Sequence, residues 1–212
     1  MEATAIYDWL MDGAGDTIRD PFDAHVLASV LAVAMGETKA RGVCLSEGTG
    51  LPAATHISII RMAFPHALPL LELDAASADP KVPDDERCLR DLLTRSATQR
   101  TPFQIHLAAI IARRSMRPNH LWQDLGLRNR AELSTLMNRH FEPLASRNIN
   151  NMKWKKFFYR MICRDEGFRL CTAPSCAECD DFPACFGEES GESLLARHRR
   201  ESELYAITAV RA

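Results

Sequence analysis

Residues 163–185 read CRDEGFRLCTAPSCAECDDFPAC and contain five of the seven cysteines of the chain. Four of these form a run with gaps of four, two and five residues, namely Cys171, Cys176, Cys179 and Cys185. Cys163 stands eight residues before this cysteine run, where a helix is predicted to end. Thiolates gathered in so short a segment repel one another unless a positive centre lies between them. The stretch therefore predicts a metal or metal-cluster site, and the rest of the chain is expected to be its scaffold.

The spacing of the cysteine run favours an iron–sulfur cluster over a single zinc ion. Structural zinc sites usually take two pairs of ligands that are separated by a dozen or more residues. Iron–sulfur proteins often place their cysteines in one short segment with gaps of two to four residues. Pro174 and Pro183 stiffen the segment that carries the thiols. Structural zinc and a redox-active disulfide loop remain the alternatives at this point.

The composition of the chain is that of an ordinary globular protein. Its 212 residues are 46% hydrophobic and 25% charged, and the formal net charge is −2. Binding to nucleic acid is not expected, because it normally shows as a basic excess. The first residues lack the features of a secretory signal, and no segment has the apolar length of a membrane span. We therefore expect a cytoplasmic protein without a membrane partner, whose reduced thiols are available to metal.

Helix signals dominate the sequence before the cysteine run, and strand signals are almost absent. Predicted helices begin at residue 3, at the cap Asp20, near Pro52, at Asp84 and at the capping box that starts at Thr101. Gly36 is expected to end the second of these helices and to open a glycine-rich loop over residues 36–52. The predicted fold class is all-α, an irregular helical bundle with a C-terminal cysteine-rich cluster-binding loop.

Residues 119–140 contain two short predicted helices joined across Gly126, which resembles a helix–turn–helix. In a DNA-binding protein, Arg128, Arg130 and Arg139 would contact phosphates. A tight corner inside an all-helical core produces the same pattern, and the slightly acidic chain favours that interpretation. His120 begins the shorter helix, and a lone histidine there is more often a capping or core residue than a metal ligand.

The helix that leads into the cysteine run has one apolar and one basic face. The apolar positions are Trp154, Phe157, Phe158, Met161 and Ile162. The basic positions are Lys153, Lys155, Lys156, Arg160 and Arg164. Basic groups beside an anionic thiolate cluster lower the electrostatic cost of gathering its charges. An ordinary solvated basic surface is the alternative interpretation of the same residues.

Two segments resemble the NifQ family of nitrogen-fixation proteins. One is NMKWKKFFYRMICRDEGFRLCTAPSCAECDDFPACFG, residues 151–187, which includes the C-x4-C-x2-C-x5-C run. The other is HLWQDLGLRNRAELSTLMNRHFEPLASRN, residues 120–148. The likeness covers roughly residues 100–187 and is weak before them. It assigns no role to Cys44, Cys88 or the residues after 188.

The resemblance implies a protein that handles molybdenum for the assembly of the nitrogenase iron–molybdenum cofactor. It implies a [Mo-3Fe-4S] or [4Fe-4S]-type cluster on Cys171, Cys176, Cys179 and Cys185, and Cys163 is a candidate for an extra or transient thiolate. The implied partners are molybdate, the NifEN scaffold and the nitrogenase iron protein. Molybdenum arrives as an oxyanion, and a preformed iron–sulfur core offers the soft sulfide ligands for its conversion. Such a carrier needs no general acid or base, and the sequence contains no constellation that would supply one.

The expected organisation has three parts: a helical body over 1–166, a cysteine-rich cluster loop over 167–188 and a tail helix over 189–212. The tail is expected to be mobile unless it docks, with a flexible hinge over residues 188–193. The leading interpretation is a metal-cluster carrier and not a turnover enzyme. An iron–sulfur-sensing helix–turn–helix regulator and a zinc-stapled interaction module are the alternatives.

Overall fold

A computed structural model describes residues 2–14, 20–71, 79–165, 185, 189, 191–197 and 200. Over these ranges the chain contains α-helices and one short 3-10 turn, and it contains no β-strand. The all-α prediction is therefore confirmed. Most of the predicted cysteine-rich loop and of the predicted tail helix lies outside the described residues, so the three-part division stays a prediction. None of the described helices combines the length and the apolar character needed to cross a bilayer.

The first half of the chain contains α1 Ala3–Asp12, α2 Pro21–Arg41, α3 Leu45–Thr49, α4 Ala53–Ala63, the 3-10 turn Pro65–Ala67 and α5 Leu68–Leu71. The second half contains α6 Asp84–Arg95, α7 Pro102–Ser115, α8 Leu121–Asp124, α9 Arg130–His140, α10 Glu142–Ala145 and α11 Trp154–Asp165. The chain divides into two compact units. Unit 1 comprises Met1–Val82, Trp122–Asn129 and Glu192–Ala212, and unit 2 comprises Pro83–Leu121 and Arg130–Gly191.

In unit 1, α2 begins as predicted and ends later than predicted. The Asp20 carboxylate accepts a hydrogen bond from the Phe22 amide at 2.9 Å, with a proline at the first helical position. The helix continues through Gly36 and ends at Gly42, which has a left-handed φ of +66°. The prediction that Gly36 ends the helix is therefore wrong.

Gly36 lies at a close contact between helices, which explains why it does not stop α2. A Cβ added to Gly36 would lie 3.2 Å from the Cβ of Ala3 in α1. A glycine inside a helix costs only about 1 kcal/mol relative to alanine, too little to end a long, packed helix. The predicted loop over 36–52 is also too long, since residues 36–41 belong to α2 and residues 45–49 form α3.

Gly126 fixes the turn after α8 against α2 within unit 1. It has a φ of +74°, and a Cβ added there would lie 2.7 Å from the Ser29 carbonyl oxygen. The Cβ would also lie 2.8 Å from a methyl group of Val33. Both the left-handed backbone and the close approach therefore require glycine at this turn.

In unit 2, α6 packs against α7 and α11. The Glu86 side chain is 0% exposed, and its carboxylate is held by Arg90 at 2.5 Å and by Arg113 at 3.0 Å. The Thr101 hydroxyl accepts from the Gln104 amide at 3.3 Å, as the predicted capping box requires. The Gln104 side chain instead accepts from the Gln99 amide at 2.9 Å, so the second half of that box is displaced.

Candidate metal centre

Cys185 is the one member of the cysteine run among the described residues. It is half-buried, and its carbonyl oxygen accepts a hydrogen bond from the backbone amide of Lys153 at 2.8 Å. Lys153 directly precedes α11, so Cys185 lies at the start of this helix. The predicted ligands Cys171, Cys176 and Cys179 lie outside the described residues. Within the described ranges, no three histidine, cysteine or acidic side chains lie close enough together to hold a metal ion.

Cys185 and Cys163 lie near opposite ends of α11. Cys163 lies in the last turn of α11, ten residues after Lys153. At a rise of 1.5 Å per residue, that offset amounts to about 15 Å along the helix axis. A metal ion whose bonds to sulfur are about 2.3 Å long does not reach both thiols. The structure therefore does not bring Cys163 to Cys185 as a further ligand of the same ion.

Arg130 holds the segment that follows the cysteine run. Its guanidinium donates to the Glu189 carboxylate, to both the carbonyl and side-chain oxygens of Asn151 at 2.9 Å, and to the Met152 carbonyl at 2.9 Å. The side chains of Arg130 and Glu189 are only 18% and 4% exposed. We call this set, Arg130 with Glu189, Asn151 and Met152, the Arg130 anchor.

Two further side chains support the Arg130 anchor. His120 places its Nδ1 3.4 Å from a Glu189 carboxylate oxygen. Asn148 accepts from the Met152 amide at 2.8 Å and donates to the Met152 carbonyl at 2.9 Å. The residues on both sides of the start of α11 are thus tied together by hydrogen bonds. Within the predicted hinge over residues 188–193, the carboxylate of Glu189 is buried in this anchor, and the hinge itself stays a prediction.

The Arg130 anchor also bears on the helix–turn–helix interpretation. In that interpretation Arg130 would contact phosphates, but its donors are used within the chain. The helix α8 has only four residues. The described geometry therefore gives this interpretation little support.

One of the basic residues predicted on α11, Lys155, is used in contacts within the chain. The Lys155 ammonium donates to the Arg117 carbonyl at 2.5 Å and to the Asn119 carbonyl at 2.6 Å, at the turn after α7. Lys156 is exposed. The apolar face forms as predicted, since Trp154, Phe157 and Phe158 are buried with ring centroids 5.9–6.3 Å apart. Lys155 thus fixes a turn of unit 2 and is not a general anion attractor.

Three cysteines lie outside the run, namely Cys44, Cys88 and Cys163. Cys44 directly precedes α3 in unit 1. Cys88 lies in α6 of unit 2, where it lines a small cavity together with Cys163. Sequence reasoning missed both the Arg130 anchor and this shared cavity. Each joins residues that are far apart in the chain, so no local pattern indicates them.

These observations define a class of protein: an all-helical chain whose four-cysteine run ends against the start of one helix. Residues 26–187 match the model of the NifQ family. The chain belongs to the NifQ family, a family of nitrogen-fixation proteins, as the resemblance predicted. The match begins well before residue 100, so the likeness extends further towards the N-terminus than the sequence segments indicated.

Individual relatives agree with this assignment. The chain is 42% identical to a Protein NifQ homolog of Sinorhizobium fredii, over 81% of this chain and 75% of the relative. It is 42% identical to Protein NifQ of Rhodobacter capsulatus, over 78% of this chain and 91% of that one. It is 33% identical to Protein NifQ of Azotobacter vinelandii, over 69% and 80% of the two chains. No solved structure matches this chain.

Proposed function

We propose that this protein binds an iron–sulfur cluster able to host molybdenum and supplies that molybdenum to nitrogenase cofactor assembly. The observation that carries the proposal is the extent of the family match, residues 26–187, which includes the whole cysteine run. A second observation supports it: the last cysteine of the run is held by a backbone hydrogen bond at the start of α11. A helical scaffold of this kind can carry a functional loop without changing its own packing.

The chemistry of the donor set fits this cargo. Cys171, Cys176, Cys179 and Cys185 offer four soft thiolates, the ligands that iron–sulfur clusters take. A [4Fe-4S]-type cluster, or a [Mo-3Fe-4S] cluster with molybdenum in one metal position, matches four ligands. Molybdate is a hard oxyanion, so it needs sulfide ligands before thiolates hold it well. We therefore expect iron and sulfide to be required for molybdenum binding.

The electrostatics at the start of α11 support an anionic cargo. The N-terminal end of a helix carries a partial positive charge, which stabilises negative groups nearby. Cys185 lies near this end, where its backbone carbonyl accepts from the Lys153 amide. The positive charge of Arg130 is not available to such a cargo, because it is already paired with Glu189. The proposed recipients are the NifEN scaffold and the nitrogenase iron protein.

Metal analysis of the full-length protein, isolated without oxygen, tests this proposal. We expect iron and sulfide in the wild-type protein, with molybdenum after molybdate is supplied. Cys176→Ser should lose all three while keeping its helical circular dichroism, because α1 to α11 all lie before the run. Cys44→Ser is the matched control and should keep them. Zinc without iron would instead indicate a zinc-stapled module, and salt-dependent DNA binding without molybdenum would indicate a regulator.

A further inference from the structure

The peptide group that joins Met152 to Lys153, just before α11, is held at both of its ends. Its N–H donates to the Cys185 carbonyl at 2.8 Å. Its carbonyl oxygen accepts from the Arg130 guanidinium at 2.9 Å and from the Asn148 side-chain amide at 2.9 Å. All five residues belong to unit 2. The backbone of the candidate ligand Cys185 is therefore tied to a peptide that two side chains already hold.

The geometry of a peptide group makes these contacts act together. In a trans peptide the N–H and the C=O point in opposite directions within one plane, so donors that hold the carbonyl also orient the N–H. Hydrogen bonds linked in this way polarise one another, and they are stronger where water is excluded. Met152 is buried. The donors on its carbonyl therefore set the direction and the strength of the bond to Cys185.

Arg130 also holds the chain on the other side of Cys185. Its guanidinium donates to the carboxylate of Glu189, four residues after Cys185. It further donates to the carbonyl and to the side-chain oxygen of Asn151, each at 2.9 Å. Asn151 has a φ of +52°, in the left-handed region that residues other than glycine adopt only rarely. These contacts support the turn that presents the Lys153 amide to Cys185.

An arginine with a purely structural role would stabilise the fold without reaching a candidate ligand. Arg113 provides the comparison within unit 2, because it lies 3.0 Å from the buried carboxylate of Glu86 and joins α7 to α6. Arg130 differs from it, because one of its acceptors belongs to the same peptide that donates to Cys185.

We propose that Arg130 is a positioning residue for Cys185: it orients the Met152–Lys153 peptide and so keeps this ligand in place for the cluster. The inference rests on the proposed function, because it treats Cys185 as a cluster ligand. Groups that orient metal ligands from outside commonly change metal affinity by about 10–100-fold when they are replaced. Weakening this support should therefore speed the loss of iron.

Iron release to a ferrous-ion chelator tests the proposal on the full-length protein isolated without oxygen. Arg130→Lys keeps a positive charge beside Glu189, but an ammonium lacks the planar fork of donors that reaches several acceptors at once. We expect iron release to become about tenfold faster. Arg113→Gln is the structural control, which should lower the urea midpoint and leave iron release near the wild-type rate. Equal acceleration by both variants would overturn the proposal, because Arg130 would then act only through the stability of the fold.

Asn148→Asp tests the peptide while it leaves Arg130 and Glu189 unchanged. It keeps an oxygen that accepts from the Met152 amide, but it removes the donor to the Met152 carbonyl. We expect iron to be released faster than from the wild-type protein. A wild-type release rate would overturn the proposal, even where Arg130→Lys does not fold.

Hydrogen exchange of the Lys153 amide gives a second measurement that needs no cluster. Mass spectrometry of the proteins as isolated should show faster exchange in Arg130→Lys and in Asn148→Asp than in Arg113→Gln. Equal exchange in all three would contradict the positioning role. A wild-type protein without iron would contradict the proposed function instead, and the exchange of this amide would still test the role of Arg130.

Discussion

The two ends of α11 each present a cysteine, but they hold it in opposite ways. At the start of the helix, Cys185 is fixed through its backbone, and the neighbouring Arg130 anchor is dense with hydrogen bonds. At the end of the helix, Cys163 borders a cavity whose walls are largely apolar. One helix thus holds one end by polar contacts and the other by apolar packing.

The contrast is also one of energy. The start of α11 depends on a buried charge pair, and such a pair is costly to break because it leaves one charge unpaired in a poorly solvated place. The end of α11 depends on packing around a void, where exchanging one small side chain for another changes little. Substitutions should therefore destabilise the protein strongly at the start of the helix and weakly at its end.

The largest effect is expected from Arg130→Gln. This change leaves the Glu189 carboxylate, which is 4% exposed, without its charge partner. We expect the free energy of unfolding to fall by about 3–5 kcal/mol, measured by urea denaturation. Arg147→Gln on the exposed surface is the matched control and should change it by less than about 0.5 kcal/mol. An equal, small effect of both would mean that the anchor does not stabilise the start of α11.

A smaller effect is expected in the first turn of α11, from Lys155→Met. The substitution removes two charge-assisted hydrogen bonds, to the carbonyls of Arg117 and Asn119. The expected loss is about 1.5–3 kcal/mol in the same urea experiment. The neighbouring Lys156→Met removes an equal charge from an exposed position and should change stability little. If the two variants behaved alike, the contacts of Lys155 would contribute nothing beyond its charge.

At the far end of the helix, Cys163→Ala should have a weak effect on stability. The thiol borders a void and is half-buried, so its removal loses few packing contacts. We expect a change below about 1 kcal/mol in the urea experiment. A loss as large as that of Arg130→Gln would remove the contrast between the two ends.

The smallest effect concerns pH and His106 on α7. Partial burial lowers the pKa of His106 below its ordinary value of 6.5. As the pH falls through this value, the unfolded chain binds a proton more readily than the folded chain, so stability decreases. His106→Gln should therefore flatten the dependence of the urea midpoint on pH between about pH 5 and 7. An unchanged slope would show that the histidine is protonated equally in both states.

The sequence predicted the parts of this structure that depend on local chemistry. The caps at Asp20 and Thr101 and the apolar face of α11 follow from the types and spacing of neighbouring residues. Gly36 was misinterpreted because its role depends on Ala3, which approaches it from another helix. Helix-propensity rules assign a cost to a glycine in a helix without regard to the residues that approach it from other helices.

The candidate ligands could be predicted from the sequence, but the contacts that hold the neighbouring residues in place could not. The spacing of the cysteine run is visible in the sequence itself, and the family match includes the whole run. The partnership of Arg130 with Glu189 spans 59 residues, and Cys88 and Cys163 line one cavity from two helices in different parts of unit 2. Such contacts are selected by tertiary packing, so the sequence alone offered Arg130 only as a phosphate contact in the DNA-binding alternative and left Cys88 without a role.

The most direct measurement compares the iron and molybdenum content of Cys185→Ser and Cys163→Ser with that of the wild-type protein, all isolated without oxygen. We expect Cys185→Ser to lose both metals, because it removes a proposed ligand of the cluster. Cys163→Ser should keep them, because its thiol lies about 15 Å further along α11. Retention of both metals by Cys185→Ser, or their equal loss from the two variants, would contradict the assignment of the cluster to the cysteine run.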